Sequence, residues 1–391
     1  MNILFVVPYV PNLVRVRPYN LIKHLAARGN QVTVLTVWSS AQEQTDLAHL
    51  RQICHEVHAV SMPVWHSLVN SLLALPSRRK PLQSVYSWKP QLVAHLNGQS
   101  PYDVVHVEHL RGSRYGLHLR HHTQLPVVWD SVDCITHLFR QAASQSKNIT
   151  GRLRSWLDLE RTAWYEGWLL DKFHHVLVTS PVDREALLSL KHNGSQPAPI
   201  SVLGNGVDVD HFSPDPSVER EPATLVISGK MSYHANVTMT LHLVREIMPA
   251  VWQQQPEARL LIVGKDPTRE IQALAENPNV TVTGTVASLP PYLQRATVAV
   301  APITYGAGMQ NKILEAMSCG TPVVTTPQAV TSLSLEPGRD LVVADTPENY
   351  AQAILDLLAQ PQRQAELSRN GRCYVEQHHH WPNVAARLET I

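Results

Sequence analysis

Short runs of apolar residues alternate with longer stretches in which apolar positions recur every three or four residues, and this alternation comes in two successive series. In the first series the runs fall at 3–7, 32–37, 103–107, 126–129 and 176–179. They are nearly continuously apolar, the pattern of strands covered by helices on both faces. After the first run, Leu21, Ile22, Leu25 and Ala26 share one helical face, and Gly29 marks its end. Strand, helix and strand in that order make a βαβ opening, which predicts a parallel sheet.

The second series starts at 225–227 and continues at 260–263, 280–283, 298–302, 323–325 and 341–343. Val237, Leu241, Val244, Met248 and Val251 stand at helical spacing between its first two runs. The two series are joined by Gly204-Asn205-Gly206-Val207-Asp208 and Phe212-Ser213-Pro214-Asp215-Pro216, a concentration of turn formers that reads as a linker. The expected architecture is therefore α/β, with two Rossmann-like, doubly wound parallel-sheet domains at 1–204 and 205–376 facing a cleft. Near the end, Trp381, Val384, Leu388 and Ile391 form one helical stripe after His378-His379-His380. A terminal helix at 377–391 is expected to pack back on the first domain. The three histidines read as its exposed polar lead-in, since adjacent residues diverge on a helix and cannot share a metal.

A length of 391 residues supports two cores over one. Apolar residues make up 44% and charged residues 17%, a globular balance. The net charge of +1, from 33 basic and 32 acidic residues, gives nucleic-acid binding no bulk electrostatic support. Cys54, Cys134, Cys319 and Cys373 are scattered without a C-x-x-C pair, which fits a reducing compartment. MNILFVVPYV has no basic leader and reads as a buried strand, so a cytoplasmic location is expected.

The densest chemical signal is Gly306-Ala307-Gly308-Met309-Gln310-Asn311-Lys312-Ile313-Leu314-Glu315, leading to Gly320-Thr321-Pro322. A strand ends near Pro302, a glycine-containing loop follows, and a helix starts near Met309. Free amides and the positive helix end suit a diphosphate, and Gly306 and Gly308 would let backbone approach it. Glu315 could accept hydrogen bonds from a ribose diol. An ordinary strand–loop–helix of a doubly wound sheet would look the same from the loop alone. In the first series, Glu108, His109 and Asp133 follow the carboxyl ends of strands, where the working residues of open parallel sheets lie. Each could orient an acceptor hydroxyl or steady positive charge on a sugar ring, or simply cap a loop.

These residues carry a family resemblance. Lys312 to Val324 resembles the nucleotide-binding segment of the retaining family 4 glycosyltransferases (glycosyl transferases group 1), which have the GT-B fold. The linker run 205–214 is similar to that family's interdomain signature, and 228–237 to the first strand–loop–helix of its C-terminal domain. Thr179 to Arg184, Arg372 and Trp381 also match. The Gly-x-Gly-Met-Gln-Asn-Lys form resembles an exopolysaccharide-type subgroup. The resemblance implies a sugar moved from a nucleoside-diphosphate sugar to a hydroxyl acceptor, with retention and without a metal or other cofactor. It places Gly229, Lys230, Gly306, Gly308, Met309, Gln310, Asn311 and Glu315 on the donor. Lys230 would meet the charge of the leaving diphosphate. Arg17 matches a basic residue on the acceptor side. Lys230, Glu108, His109 and Asp133 are the candidate catalytic residues. In the family the leaving phosphate oxygen is thought to take the acceptor proton, so no unique base is assigned.

Two departures from the family pattern bear on activity: Ala307 stands where the first of two glutamates is usual, and Ala235 where a second lysine is. A catalytically inactive nucleotide-binding module supporting a partner enzyme and a nucleotide-sugar 2-epimerase are the alternative readings. A dinucleotide oxidoreductase is disfavoured, because Pro8-Tyr9-Val10-Pro11 stands where G-x-G-x-x-G would follow the first strand. Expected partners are the donor and a glycan, lipid-linked sugar or small-molecule acceptor, with no nucleic acid. Leu68, Leu72, Leu73 and Leu75 lead into Arg78-Arg79-Lys80. That run could lie on an anionic bilayer as a peripheral contact at the inner face of the membrane. Its plainer reading is a core helix with a solvated loop.

Overall fold

The computed structural model describes residues 1–94, 96, 101–145, 149–304 and 309–391, with backbone only for 142–145 and 149–157. The chain divides into two compact units, Met1–Gly204 with Val384–Ile391, and Asn205–Asn383.

The first unit is built on seven parallel strands: β1 (Asn2–Val7), β2 (Gln31–Trp38), β3 (Glu56–Ser61), β4 (Val104–Glu108), β5 (Val127–Val132), β6 (His175–Val178) and β7 (Ile200–Val202). Their order across the sheet is β3-β2-β1-β4-β5-β6-β7. Every pair is parallel, with Ile3 opposite Val32 on one side and Val104 on the other. The near-continuous apolar run of β1 is explained by its central place, for Ile3 to Val7 are all buried. Gly29 closes the helix Val16–Ala27 with φ at +90°, a conformation that glycine takes without a Cβ penalty.

The second unit has six parallel strands: β8 (Glu221–Ser228), β9 (Arg259–Val263), β10 (Val280–Gly284), β11 (Ala296–Ala301), β12 (Val323–Thr325) and β13 (Val342–Val343). Their order is β10-β9-β8-β11-β12-β13. In each sheet the winding reverses beside the first strand of the unit, at β1/β4 and at β8/β11. Such switch points leave a crevice beyond the carboxyl ends of the strands.

Strands β3 and β7 go beyond the apolar runs read from the sequence. Both are edge strands, half exposed, and β3 carries Glu56, His58 and Ser61. The helix expected through Val237 and Val251 is in three parts: His234–His242, a π-turn at Leu243–Ile247, and Met248–Gln254. Pro249 is the physical cause. It has no N–H and crowds the carbonyl four residues back, and a wider turn relieves that clash.

The histidine triplet is also more ordered than an exposed lead-in. His379 is buried, with Nδ1 2.8 Å from the Asn205 carbonyl and Nε2 3.1 Å from the Tyr374 hydroxyl. Arg372 ties down the linker, donating to the carbonyl oxygens of Val209, Phe212 and Ser318 at 3.0, 2.7 and 2.7 Å. The last helix, Trp381–Thr390, starts in the second unit and ends in the first. Trp381 packs on Gly206, where a Cβ would come within 2.5 Å of the indole. At the far end Glu389 accepts from Arg28 Nε at 2.8 Å and from Asn30 Nδ2.

Candidate active site

In the second unit, a cavity of about 350 Å³ opens at the β8/β11 switch point. Its floor depends on two glycines. β8 ends at Ser228 and passes to Gly229, β9 passes to Gly264, and both glycines have strongly positive φ, +149° and +156°. A Cβ on Gly264 would fall 1.7 Å from the Gly229 carbonyl oxygen, and one on Gly229 would fall 2.7 Å from Asn236 Nδ2. Only glycine lets these two strand ends lie so close.

The opposite wall is the helix Asn311–Ser318. Its N-cap, Gln310, makes no side-chain cap hydrogen bond, while the Asn311 amide donates to the Met309 carbonyl at 3.2 Å. Met309, Gln310, Asn311, Lys312 and Glu315 all line the cavity, facing Ser228, Gly229, Tyr233 and Asn236. Lys312 Nζ donates to Asn236 Oδ1 at 2.6 Å, and Asn236 Nδ2 donates to the Lys230 carbonyl at 3.0 Å. One amide therefore fixes the loop after β8 and the ammonium of the facing helix together.

Burial pulls the Lys312 ammonium down to about 8, with Glu315 pulling the other way. Burial pushes the Glu315 carboxyl up to about 7 against the pull of Lys312. Glu315 has no hydrogen-bond partner among the described residues, which leaves its oxygens for a ligand. The wall thus offers the positive end of a helix and a cation to an anion, with a carboxylate one turn further in.

Lys230 stands differently. Its side chain is 55% exposed, its Nζ lies 3.8 Å from Asp266 Oδ2, and it is not among the residues lining the cavity. Gly306 and Gly308, together with Ala307, lie outside the described residues. Lys312 and Asn236 were not singled out from the sequence. One stands in the first turn of the helix after the loop and the other in the run after β8.

In the first unit, polar residues gather where β1, β4 and β5 end. Tyr9 donates its hydroxyl to Glu108 Oε1 at 3.2 Å, and Oε2 has no partner. Burial first, then the Asp130 charge, raises the Glu108 carboxyl well above its ordinary range. Asp130 accepts from Arg17 Nε at 2.9 Å, with Nη2 2.8 Å and His106 Nε2 3.4 Å away. Burial alone would raise its carboxyl, but the Arg17 guanidinium and His106 outweigh burial and hold it low. Arg17 also donates to the Leu203 carbonyl at 2.9 Å and is itself buried. The structure thus commits this arginine to an internal ion pair.

His106, Glu108 and Asp130 lie close enough to share a cation, within 4.8 Å of one another, but Arg17 already supplies the positive charge there. His109 follows with φ at +64°. Burial and the neighbouring Arg111 pull its imidazole down to about 4, so it is neutral at pH 7. Asp133 accepts from the Thr179 hydroxyl at 3.1 Å, and burial together with the Asp183 charge raises it to about 6. These three sites are brought to one end of the sheet.

Comparison with known proteins bears on both units. Residues 14–206 match the glycosyl transferase 4-like domain, and residues 222–360 match the glycosyl transferases group 1 domain. The chain is 25% identical over 236 residues to a D-inositol 3-phosphate glycosyltransferase of Gordonia bronchialis, covering 54% of this chain and 50% of the relative. It is 28% identical over 216 residues to a GDP-mannose-dependent alpha-(1-6)-phosphatidylinositol monomannoside mannosyltransferase of Mycobacterium tuberculosis, covering 49% and 55%. The chain spans about half the length of these curated relatives. Among solved structures, Anabaena HepE in complex with UDP and glucose shares the GT-B fold at a TM-score of 0.66 and 16% identity, covering 100% of this chain and 98% of that one.

Proposed function

The chain belongs to the glycosyl transferases group 1, with a 4-like first domain, and on that premise we propose that it transfers a sugar from a nucleoside-diphosphate sugar to a hydroxyl acceptor with retention. The observation that carries this reading is the 350 Å³ cavity, whose wall brings Lys312 and Glu315 together at the start of the helix Asn311–Ser318. The diphosphate sits against the positive end of this helix and Lys312, and Glu315 accepts from the ribose hydroxyls. Lys230 and Lys312 supply cationic charge to the departing diphosphate, so the transfer proceeds without a metal. The leaving phosphate oxygen takes the acceptor proton on the same face of the sugar.

The acceptor side is the first unit, with Glu108, His109 and Asp133 orienting the hydroxyl. A lipid-linked sugar is the acceptor class we favour, by analogy with the Mycobacterium relative named for phosphatidylinositol monomannoside. An acceptor of that kind is held in a bilayer, and the enzyme would meet it as a peripheral protein at the inner face.

The test compares Lys230→Ala with Lys312→Ala for donor affinity and for acceptor-dependent release of nucleoside diphosphate. Lys230→Ala is expected to lower turnover by roughly 10²–10³, as for a fixed charge lost from a leaving group, and to change donor affinity much less. Lys312→Ala is expected to weaken nucleoside-diphosphate binding itself. Binding without any acceptor-dependent release, across a broad donor and acceptor screen, would establish a nucleotide-binding module in place of an enzyme. Donor epimerised or hydrolysed with no acceptor present would point to the 2-epimerase chemistry.

A further inference from the structure

The apolar run after β3 forms the helix Val64–Ala74, and it does not behave as a core helix. Only Ser67 and Ala74 are buried, while Trp65, Leu72 and Leu73 are 64%, 63% and 77% exposed. The expectation of a core helix is overturned here. The inner side of the helix is not sealed either. Leu68, Leu72 and Leu75 form one wall of a groove of about 500 Å³, facing Leu82, Tyr86 and Arg111. A monomer rarely leaves so many neighbouring leucines uncovered unless something else covers them.

The charge around this helix says what that is. Residues 57–102 contain Arg78, Arg79, Lys80 and Lys89 and no Asp or Glu, and the Asp158 carboxylate, brought beside the turn from another helix, accepts from the Leu82 amide at 3.2 Å. The cations follow directly after the helix, where Ser77 Oγ accepts from the amides of Arg79 and Lys80 at 3.3 and 3.2 Å and fixes the turn. Arg79 lies over the Trp164 ring at 4.9 Å, while Arg78 and Lys80 are exposed. In the groove, Arg111 meets the Tyr86 ring at 5.2 Å and is paired with no carboxylate among the described residues. At 11 residues the helix is about 16 Å long, about half the thickness of a bilayer core. No helix among the described residues is long and apolar enough to cross a membrane.

We propose that the Val64–Ala74 helix and the Arg78–Lys80 turn form a docking face that lies in the surface of an anionic bilayer. Trp65, Leu72 and Leu73 enter the interface, and the three cations meet lipid phosphates at its rim. The face gives a purpose to the reading of a lipid-linked acceptor and rests on that reading for the purpose alone. The groove behind the leucines ends at Arg111, so apolar and cationic surface continue inward from the membrane side.

The test is co-sedimentation of the full chain with vesicles of phosphatidylcholine alone or with added phosphatidylglycerol, with no sugar present. Binding is expected on the phosphatidylglycerol vesicles and to be about tenfold or more weaker on phosphatidylcholine, falling with added salt. The pair Leu72→Ser and Leu73→Ser should lower it at least about tenfold. Arg78→Gln with Lys80→Gln should lower it similarly and flatten the salt dependence. All four positions are exposed, and unchanged melting would confirm the fold of each variant. Equal binding by all variants, or none by the parent chain, overturns the proposal. So does a dimer in solution that the leucine pair disrupts, which would make a second copy the occupant. Vesicle binding with no sugar transfer would keep this face and remove the function, and the reverse outcome would do the opposite.

Discussion

Glu315 is the residue on which donor recognition and pH are joined. Its carboxyl is raised to about 7 by burial, and an ionised carboxylate is what accepts from a ribose diol. Nucleoside-diphosphate affinity is therefore expected to fall as pH drops below about 7, and Glu315→Gln should remove that acid limb while leaving the fall above about 8 that loss of the Lys312 charge brings. The same change should weaken binding at pH 8 by roughly 1–3 kcal/mol, the range for a lost charge-assisted hydrogen bond. Titration calorimetry at pH 6 and 8 measures both, and a variant that keeps the parent's affinity at each pH would reject the ribose contact. The effect on stability has the opposite sign. Between the unfolded carboxylate range and about 7, the folded chain binds the Glu315 proton more tightly than the unfolded chain does. Stability from this group is thus greatest at low pH and declines as pH rises toward 7. The melting difference between Glu315→Gln and the parent should widen in the variant's favour from pH 5 to pH 8.

At the scale of elements, the floor of the cavity is set by a close approach that no side chain can share. Gly264→Ala would put a Cβ 1.7 Å from the Gly229 carbonyl, so the ends of β8 and β9 must separate. The expected loss is about 1–3 kcal/mol in denaturant unfolding, with nucleotide binding impaired beyond what stability explains. Gly29→Ala meets no atom within 4 Å and should cost only the strain of its positive φ, on the order of 1 kcal/mol.

These elements also show what could be read from the residues. Central strands such as β1 and β11 were legible because burial on both faces demands continuous apolar sequence. Edge strands β3 and β7 need only one covered face, and their polar residues hid them. The π-turn at Leu243–Ile247 follows from Pro249, a visible signal that helical spacing alone outweighed. In the cavity, the strand–loop–helix and Glu315 were legible from their order along the chain. The inward aim of Lys312 was not, because it depends on Asn236 being carried to it by the helix His234–His242. The exposure of Leu72 and Leu73 was hidden for a similar reason, since an apolar stripe does not say what will cover it.

For the whole molecule, the helix Trp381–Thr390 makes the second covalent passage between the two units, after the one at Gly204. Val384 and Ala385 are fully buried, and Glu389 holds Arg28 and Asn30. Removing residues 384–391 is expected to lower the melting temperature of the first unit by several degrees, since burying one valine is worth about 1.5–3 kcal/mol. Increased binding of a hydrophobic dye should accompany it, and unchanged melting would show that this helix contributes nothing there. The exposed Arg28–Glu389 pair is expected to add little to that, because solvent screens it. The same feature orders events on the ribosome. The first unit is finished by residues 384–391, with 205–383 synthesised in between. At about 5–20 residues per second that gap lasts roughly 10–35 s, during which the nascent first sheet stands without its closing helix. Until residues 384–391 emerge, the apolar site that Val384 and Ala385 cover in the folded chain is expected to face water, and slower translation of 205–383 would lengthen that wait.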